Sequence, residues 1–582
     1  MKVLLLHPND SAEIGPWSES HWDWIVDIGW SGRSVYSSLT KRLGCRVSSL
    51  KDCLGHEQHH KQLVEVLQAG RGYLVDAEGV DWWDIFSPLP HDGLDQALVL
   101  TALAGQLHPA AEIMATRAHA VARGLSVLLG REIKSFTQDS GSSFGNRLAR
   151  YRKAAATFRP AQILQIAMDK WDADYRFRRH LSPAPPASTE PAILLPSSYV
   201  NVSRVQVAYA RMLPRRTFLL TTTRPSGGHV ERPKNVGLRS LASYAPKSFL
   251  RSTELEYAGL LERWRKVQST VLACNPVLSL AQQLGVLAAI PAFFHRGLRV
   301  RDAWRNLFDR EPLCAVLSGD ENSPYTRLPV LLARARGIPT VFADHGALNM
   351  TFALRPLVSA SYLVQGEMAR DYIVNFCGIP AERVIAGAPA QTSPSRPPSD
   401  APRDRIVLFS EAYEINGART ESFYREILPH LCTLAVQTRR KIIVKLHPFE
   451  SFRERSRFVR NLLSSDQQSL VELREGPMTP DLLSRAWFSL TVESSVAVES
   501  TLQGVPCFLC RWFDSAWYEY GTQFAKFSAG QLLHGPEEIL DIPKRLEALR
   551  ITPAMQERLL QPIEADRLDA LLSSAPAKSP QH

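Results

Sequence analysis

Short apolar runs recur along this chain, each stopping at a polar loop, with stretches of helical composition between them. Residues 3–7 form the first run and break into His7-Pro8-Asn9-Asp10. Residues 24–28, followed by Gly29, form a second, and residues 73–76 a third. A short buried strand, a polar loop and then a helix is the repeating unit of a doubly wound parallel sheet. Residues 314–317 repeat it, ending in Ser318-Gly319-Asp320-Glu321-Asn322. A helix over 327–336 follows, then Gly337 and Pro339, then a strand over 340–343 that delivers Asp344-His345-Gly346 to its C-terminal end. A strand at 362–364, a helix at 367–376 and a strand at 383–385 add one more unit.

Two regions depart from this rhythm. Residues 94–107 and 110–129 have helical composition, and 252–308 is a second helical block. Together they predict a helical insertion over about 92–310, crossed by a proline-rich loop at 183–191 and by strands at 192–195 and 217–221. Residues 390–403 are rich in Pro, Ser and Thr and predict a linker. The expected division is therefore an N-terminal Rossmann-like domain over 1–389, a C-terminal one over 404–573, and a frayed tail at 574–582. In the second domain, strands are expected at 406–409, 441–446, 488–492 and 507–509. Helices are expected at 423–438, 482–487 and 496–502.

Composition narrows the class. A chain of 582 residues, 45% hydrophobic and 22% charged, is globular and too long for one ordinary core. The net charge of +10 suits anionic ligands, and equally an Arg-rich solvated surface. Zinc-finger spacing, RNP-like aromatics and a basic zipper are missing from the sequence, so nucleic acid is not an expected partner. The eight cysteines lie mostly within apolar runs, as reduced buried thiols do. Cys507 and Cys510 form a CxxC inside a strand, where core packing is the simpler role. The apolar run at the N-terminus is shorter than a signal peptide needs, and the most apolar stretch, 278–294, is broken by Gln282, Gln283, Gly285 and Pro291. A cytoplasmic protein is expected, with peripheral contact at the inner membrane face left open.

The strongest chemical constellation lies in the C-terminal half. Lys445-Leu446-His447-Pro448 ends one strand, and Glu493-Ser494-Ser495 ends another and opens a helix carrying Glu499. Gly504-Val505-Pro506 then leads into the next strand. Strand C-termini are where doubly wound sheets bind ligands, and unpaired N–H groups at a helix start attract phosphate. Lys445 and His447 can add positive charge, and Glu499 can reach a ribose diol. Singly, each has an ordinary explanation: a Ser N-cap, a His-Pro turn, a Glu on a solvated face. Their joint placement favours a nucleotide site.

This pattern, K-x-H-P followed after about 45 residues by S-S-x-x-x-E-x-x-x-x-G-x-P, resembles the C-terminal domain of GT-B glycosyltransferases of the capsule and surface-polysaccharide type. Bacterial sialyl- and Kdo-transferases and CDP-glycerol glycerophosphotransferases are the nearest groups. UDP-N-acetylglucosamine 2-epimerases are more distant, since their Gly-rich turn is replaced here by Glu493-Ser494-Ser495-Val496. The resemblance implies a GT-B-like α/β fold of two Rossmann-like domains facing a cleft. It implies nucleotide phosphate held by His447, Ser494 and Ser495, with Glu499 on the ribose. The segment ending in Asp344-His345-Gly346 resembles the group's acceptor-base strand end, which implies His345 as base. Its tautomer would be held by Asp344 or Asp320. His7, Asp320, Asp344, Glu411 and Glu414 are further candidate cleft residues. The implied activity is transfer of a sugar from a CMP-, CDP- or UDP-linked donor to a surface glycan or lipid-linked acceptor. No bound cofactor or metal is expected, since no strand-flanked DxD is seen. A nucleotide-sugar 2-epimerase and a non-catalytic scaffold in polysaccharide assembly are the alternatives.

Overall fold

Three sheets organise the chain, and their strands pair in parallel throughout the described residues. The first contains β1 (Lys2–Leu6), β2 (Trp24–Asp27), β3 (Arg46–Ser49), β4 (Glu112–Arg117) and β5 (Lys134–Thr137), in the order β3-β2-β1-β4-β5. The second contains β6 (Ala192–Ser197), β7 (Thr217–Thr222), β8 (Val236–Ser240), β9 (Leu313–Ser318), β10 (Thr340–Ala343), β11 (Ser361–Val364) and β12 (Val384–Ala386). Its order is β12-β11-β10-β9-β6-β7-β8. The third contains β13 (Arg405–Phe409), β14 (Lys441–Lys445), β15 (Val471–Arg474), β16 (Ala486–Thr491), β17 (Cys507–Cys510) and β18 (Gln531–Leu533), in the order β15-β14-β13-β16-β17-β18. The structure is a computed structural model that describes residues 1–7, 10, 15–28, 33–86, 91–137, 189–223, 225–246, 251–348, 351–354, 357–389, 402–411, 418–447, 450–476, 478–513 and 519–574.

One winding rule generates all three orders. The chain starts at a central strand, adds two strands on one side, then crosses back to the other side of the first. This is Rossmann-like, doubly wound α/β architecture. It creates a switch point in each sheet, between β1 and β4, β6 and β9, and β13 and β16.

Burial follows from coverage on both faces. On β13, Ile406 and Leu408 join Phe423, Ile427 and Leu431 in one core, while Val407 and Phe409 join Leu482, Leu483 and Val505 in another. Alternation along a strand sends neighbours to opposite faces, and both are apolar because both are covered. By contacts the chain forms two compact units. One holds the first and third sheets; the other holds the second sheet with residues 62–94 and the residues from 557 onward.

Those last residues return to the second sheet. Ile563, Leu568 and Leu572 share a core with Ile193, Leu195, Leu317, Val341 and Leu363. The backbone joins in: Gln561 donates to Gln365 O (2.8 Å) and Ile563 to Ala388 O (2.9 Å). Arg216 pairs with Asp569 (2.7 Å) and Arg558 with Glu367 (2.9 Å). Gly366 sits where a Cβ would meet the Leu559 carbonyl group at 2.6 Å, so only glycine admits this approach.

The helical insertion expected over 92–310 is not what that region forms. Its described part carries β4 and β5 of the first sheet and β6, β7 and β8 of the second, besides helices. The Glu, Met and Ala of β4 favour a helix locally, but the segment fills the slot beside β1, and tertiary burial overrides propensity. Residues 73–76 make only an isolated antiparallel bridge, Val75 to Asp81; the strand at the sheet edge is β3 instead. The helical stretch over 251–310 packs in the second unit. There the helix Ile290–Arg310 buries Trp304 and sets Phe294 against Phe86 and Trp264. Its Arg301, 1% exposed at the side chain, pairs with Asp76 (2.7 Å), Glu256 (2.6 Å) and Asp302 (2.8 Å). Residues 390–401 of the expected linker and the tail from 575 lie outside the described residues.

Candidate functional site

The two C-terminal motifs fall on the ends of the two strands that flank β13 in the third sheet. β14 ends at Lys445 and is followed by Leu446 and His447; β16 ends at Thr491 and is followed by Glu493, Ser494 and Ser495. β13 lies between β14 and β16, ends at Phe409 and is followed by Ser410 and Glu411. The turn before β17 uses Gly504 at φ 70°, the left-handed conformation that glycine adopts without penalty.

Glu411 ties the end of β13 to that of β16. Its Oε1 accepts from Thr491 Oγ1 (2.6 Å) and from the backbone N–H groups of Val492 and Glu493 (both 2.9 Å). Burial, with the Glu493 charge adding to it, raises the Glu411 carboxyl above the usual range, while these donors oppose the rise. Glu411 also acts on His447, whose imidazole is lowered by burial and partly restored by the charges of Glu450 and Glu411.

Glu450 organises the other side of His447. It accepts the His447 backbone N–H (3.0 Å) and the Tyr424 hydroxyl (3.2 Å), and it pairs with Arg455 (2.9 Å), which stacks on Tyr424 at 4.7 Å. Lys445 is buried and donates Nζ to the Leu446 carbonyl (3.0 Å). Burial lowers its ammonium, and Glu450 counters that shift. The lysine thus holds the strand end as well as bringing charge to it.

The helix Val496–Leu502 begins just after the serines. Ser494 Oγ accepts from Val496 N–H at 3.4 Å, a weak contact, and Ser495 makes no side-chain cap and is exposed. The sequence suggests capping serines; the structure leaves the Ser495 hydroxyl off the cap. Glu499 is also exposed, one turn into the helix. Glu414 lies outside the described residues.

The N-terminal candidates sit at strand ends of the other two sheets. His345 follows β10, with Nδ1 2.8 Å from the carbonyl of Gly319, which follows β9. A carbonyl only accepts, so Nδ1 of the exposed ring carries a hydrogen, and in that tautomer Nε2 has the lone pair. Neither carboxylate expected to hold this tautomer does so. Asp344 points into the core and accepts from Gly346 N–H (3.0 Å), and burial raises its carboxyl while His345 opposes the rise. Asp320 shapes its own loop, accepting from Asn322 N–H (2.8 Å) and the Thr326 hydroxyl (3.1 Å). Adjacent strand residues point to opposite faces, which is why Asp344 is turned away from its neighbour's ring. Gln206 went unnoticed in the sequence. Fully buried, it donates to both Pro196 O and Leu317 O (2.9 Å each), clasping β6 and β9 at their switch point. His7 follows β1 in the first sheet, its N–H on Thr116 Oγ1 at 3.0 Å.

Among the described residues, three or more His, Cys, Asp and Glu side chains nowhere gather as a metal site. Nor is any helix there long and apolar enough to cross a membrane. Cys507 and Cys510 are both buried, and burial pushes the Cys507 thiol up to about 12.

No family model and no curated protein matches this chain. Among solved structures it is similar to the UDP-GlcNAc 2-epimerase from Methanocaldococcus jannaschii, at 13% identity and a TM-score of 0.41, over 66% of this chain and 99% of that one. It is similar to Acinetobacter baumannii MurG at 11% and 0.39, over 66% and 100%. It is similar to CalG4, the calicheamicin glycosyltransferase, at 14% and 0.37, over 67% and 96%. At TM-scores this low the likeness adds nothing to the fold already read from the strand orders.

Proposed function

We propose that the third sheet binds a nucleotide-activated sugar and that the chain is a glycosyltransferase of GT-B type. The observation that carries this reading is the placement of two independent motifs on the strand ends that flank β13, whose following Glu411 binds the second of them. Doubly wound sheets bind ligands at that place. In this reading His447, Ser494 and Ser495 receive the donor phosphate, Lys445 adds charge behind them and Glu499 takes the ribose diol. The exposed Ser495 hydroxyl is then available to a phosphate oxygen.

As the sugar leaves, negative charge grows on the phosphate, and fixed donors lower that barrier. These donors stand in for a metal ion, so a chelator is expected to leave turnover unchanged. His345 is proposed as the base for the acceptor hydroxyl, through the Nε2 lone pair that its bond to Gly319 leaves available. A surface glycan or its lipid-linked precursor is the proposed acceptor, used at the cytoplasmic side.

The test is thermal stabilisation by CMP, CDP, UDP, GDP and ADP, on wild type and His447→Ala. A ligand at 100 times its Kd stabilises by about 2.7 kcal/mol. One nucleotide shifting the wild type and not the variant is the expected result. A folded wild type that responds to none, or a variant that responds equally, overturns the donor-site assignment.

A further inference from the structure

The helix Phe452–Leu462 follows β14 and carries four arginines. Ser451 opens it as N-cap, accepting from Glu454 N–H at 3.4 Å. Spacings of three and four residues put Arg455, Phe458, Val459 and Leu462 on one face. That face is turned inward: Val459 is buried in the core of the third sheet, and Phe458 and Leu462 pack against the same core. Arg455 is buried as well, and its charge is answered by Glu450 (2.9 Å) and by the Tyr424 ring (4.7 Å).

The other three arginines take the opposite side. At about 100° per residue, Arg453, Arg457 and Arg460 fall within about 60° of one another, away from Val459 and Leu462. All three are exposed. Among the described residues, none of their guanidinium groups makes an ion pair or a hydrogen bond. Glu454 is the one acidic residue of this helix and lies in its first turn, where the helix dipole favours it. The next acid along the chain is Asp466, on the short helix that follows. Phe452, at the helix start, leaves 42% of its surface exposed.

We propose that this helix face docks the protein on the surface of an anionic lipid bilayer. The outer side of a helix is convex, so it cannot enclose a small anion; it meets a flat array of charges along its length. Arg453 to Arg460 spans about 10 Å. That row sets three guanidinium groups against lipid phosphates, each able to give a forked pair of hydrogen bonds. Phe452 selects among polyanions. An exposed ring beside a basic row suits the headgroup boundary, where aromatic side chains settle, whereas duplex nucleic acid or an acidic glycan offers it no apolar layer. Three arginines make a weak contact that salt screens, so the docking is reversible. The inference stands apart from the donor-site reading, which places none of these residues on the nucleotide.

The experiment is co-sedimentation of the full chain with vesicles of phosphatidylcholine alone, and of phosphatidylcholine and phosphatidylglycerol in equal parts. The wild type is expected to bind the mixed vesicles, to ignore the neutral ones, and to be released at about 1 M salt, where the screening length is about 3 Å. Arg453→Gln, Arg457→Gln and Arg460→Gln together are expected to weaken binding roughly 100-fold, or about fivefold per arginine. Arg263→Gln, Arg265→Gln and Lys266→Gln, exposed on the helix Arg251–Val267, remove the same net charge elsewhere and are expected to leave binding near wild type. Phe452→Ala is expected to weaken binding to the mixed vesicles. Failure of the wild type to bind them, equal loss in the two triple variants, or tighter binding to duplex DNA than to the vesicles overturns the proposal.

Discussion

At the scale of single residues, what matters is which atom of a side chain is already engaged. His345 and His119 are both tied through Nδ1, but in opposite senses. One donates to a carbonyl and is left with a lone pair; the other accepts an N–H and is left with a hydrogen. The first is equipped to take a proton, the second to give a hydrogen bond. His345→Ala is therefore expected to cut turnover by about 100-fold or more without changing nucleotide affinity, as removal of a general base does. Steady-state kinetics beside a binding titration check this. His447 is held by its surroundings in a different way: burial lowers its imidazole, and the charges of Glu450 and Glu411 oppose that shift in part. Glu411→Gln keeps an acceptor for Thr491, Val492 and Glu493 and removes the charge. It should lower the His447 pKa further, visible in an NMR titration of its ring protons. His119 also sets a pH dependence. Its folded value of about 4 lies below the unfolded 6.5, so the stability it brings is full above about 6.5 and is lost as pH falls toward 4. Urea denaturation at pH 7, 5.5 and 4.5 should show that slope flattened in His119→Asn by at most one proton, or about 1.4 kcal/mol per pH unit.

At the scale of elements, legibility tracked how much of the signal was local. β1, β2, β9, β10, β13 and β14 are apolar runs that stop at polar loops, and their ends carry the residues singled out from the sequence. β3, β5, β15 and β18 are short edge or near-edge strands with polar residues, and no period marks them out. β4 reads as helix and becomes strand because β1 and β5 flank it. The serines of the third sheet were legible as a helix start, whereas the grip of Glu411 on the neighbouring strand was not, since it joins residues 80 to 82 positions apart. The Arg301 network is likewise long-range, reaching Asp76 across 225 positions. It pins the helix Ile290–Arg310 to the segment around Trp82, whose indole N–H also bonds Asp76 (2.9 Å). Removing one partner leaves buried charge uncompensated, so Arg301→Leu should destabilise the fold by about 3–5 kcal/mol in chemical denaturation.

At the scale of the whole molecule, one winding order appears three times, and each repeat presents different side chains at strand ends on or beside its switch point. The third sheet offers Glu411, His447 and two serines; the second offers His345 and the Gln206 clasp; the first offers His7, Arg117 and His119. The architecture supplies places, and the loops at strand ends supply chemistry. The second sheet differs in needing the residues from 557 onward to finish its core. Deleting them should expose the face lined by Ile193, Leu317 and Val341. Hydrogen exchange is expected to show protection lost over 192–386 and kept over 405–533, with dye binding to the bared apolar surface. Gly366→Val should act in the same direction by pushing Leu559 away.

That returning segment also dictates an order of events on the ribosome. The strands of the second sheet emerge before those of the third, but Ile563, Leu568 and Leu572 emerge after both. At about 5–20 residues per second, the earlier sheet waits on the order of 10–30 s with one apolar face only partly covered, by the helix Val200–Met212. During synthesis the middle of this polypeptide is thus a natural client for a nascent-chain chaperone, and it is released from that dependence when its last helix arrives.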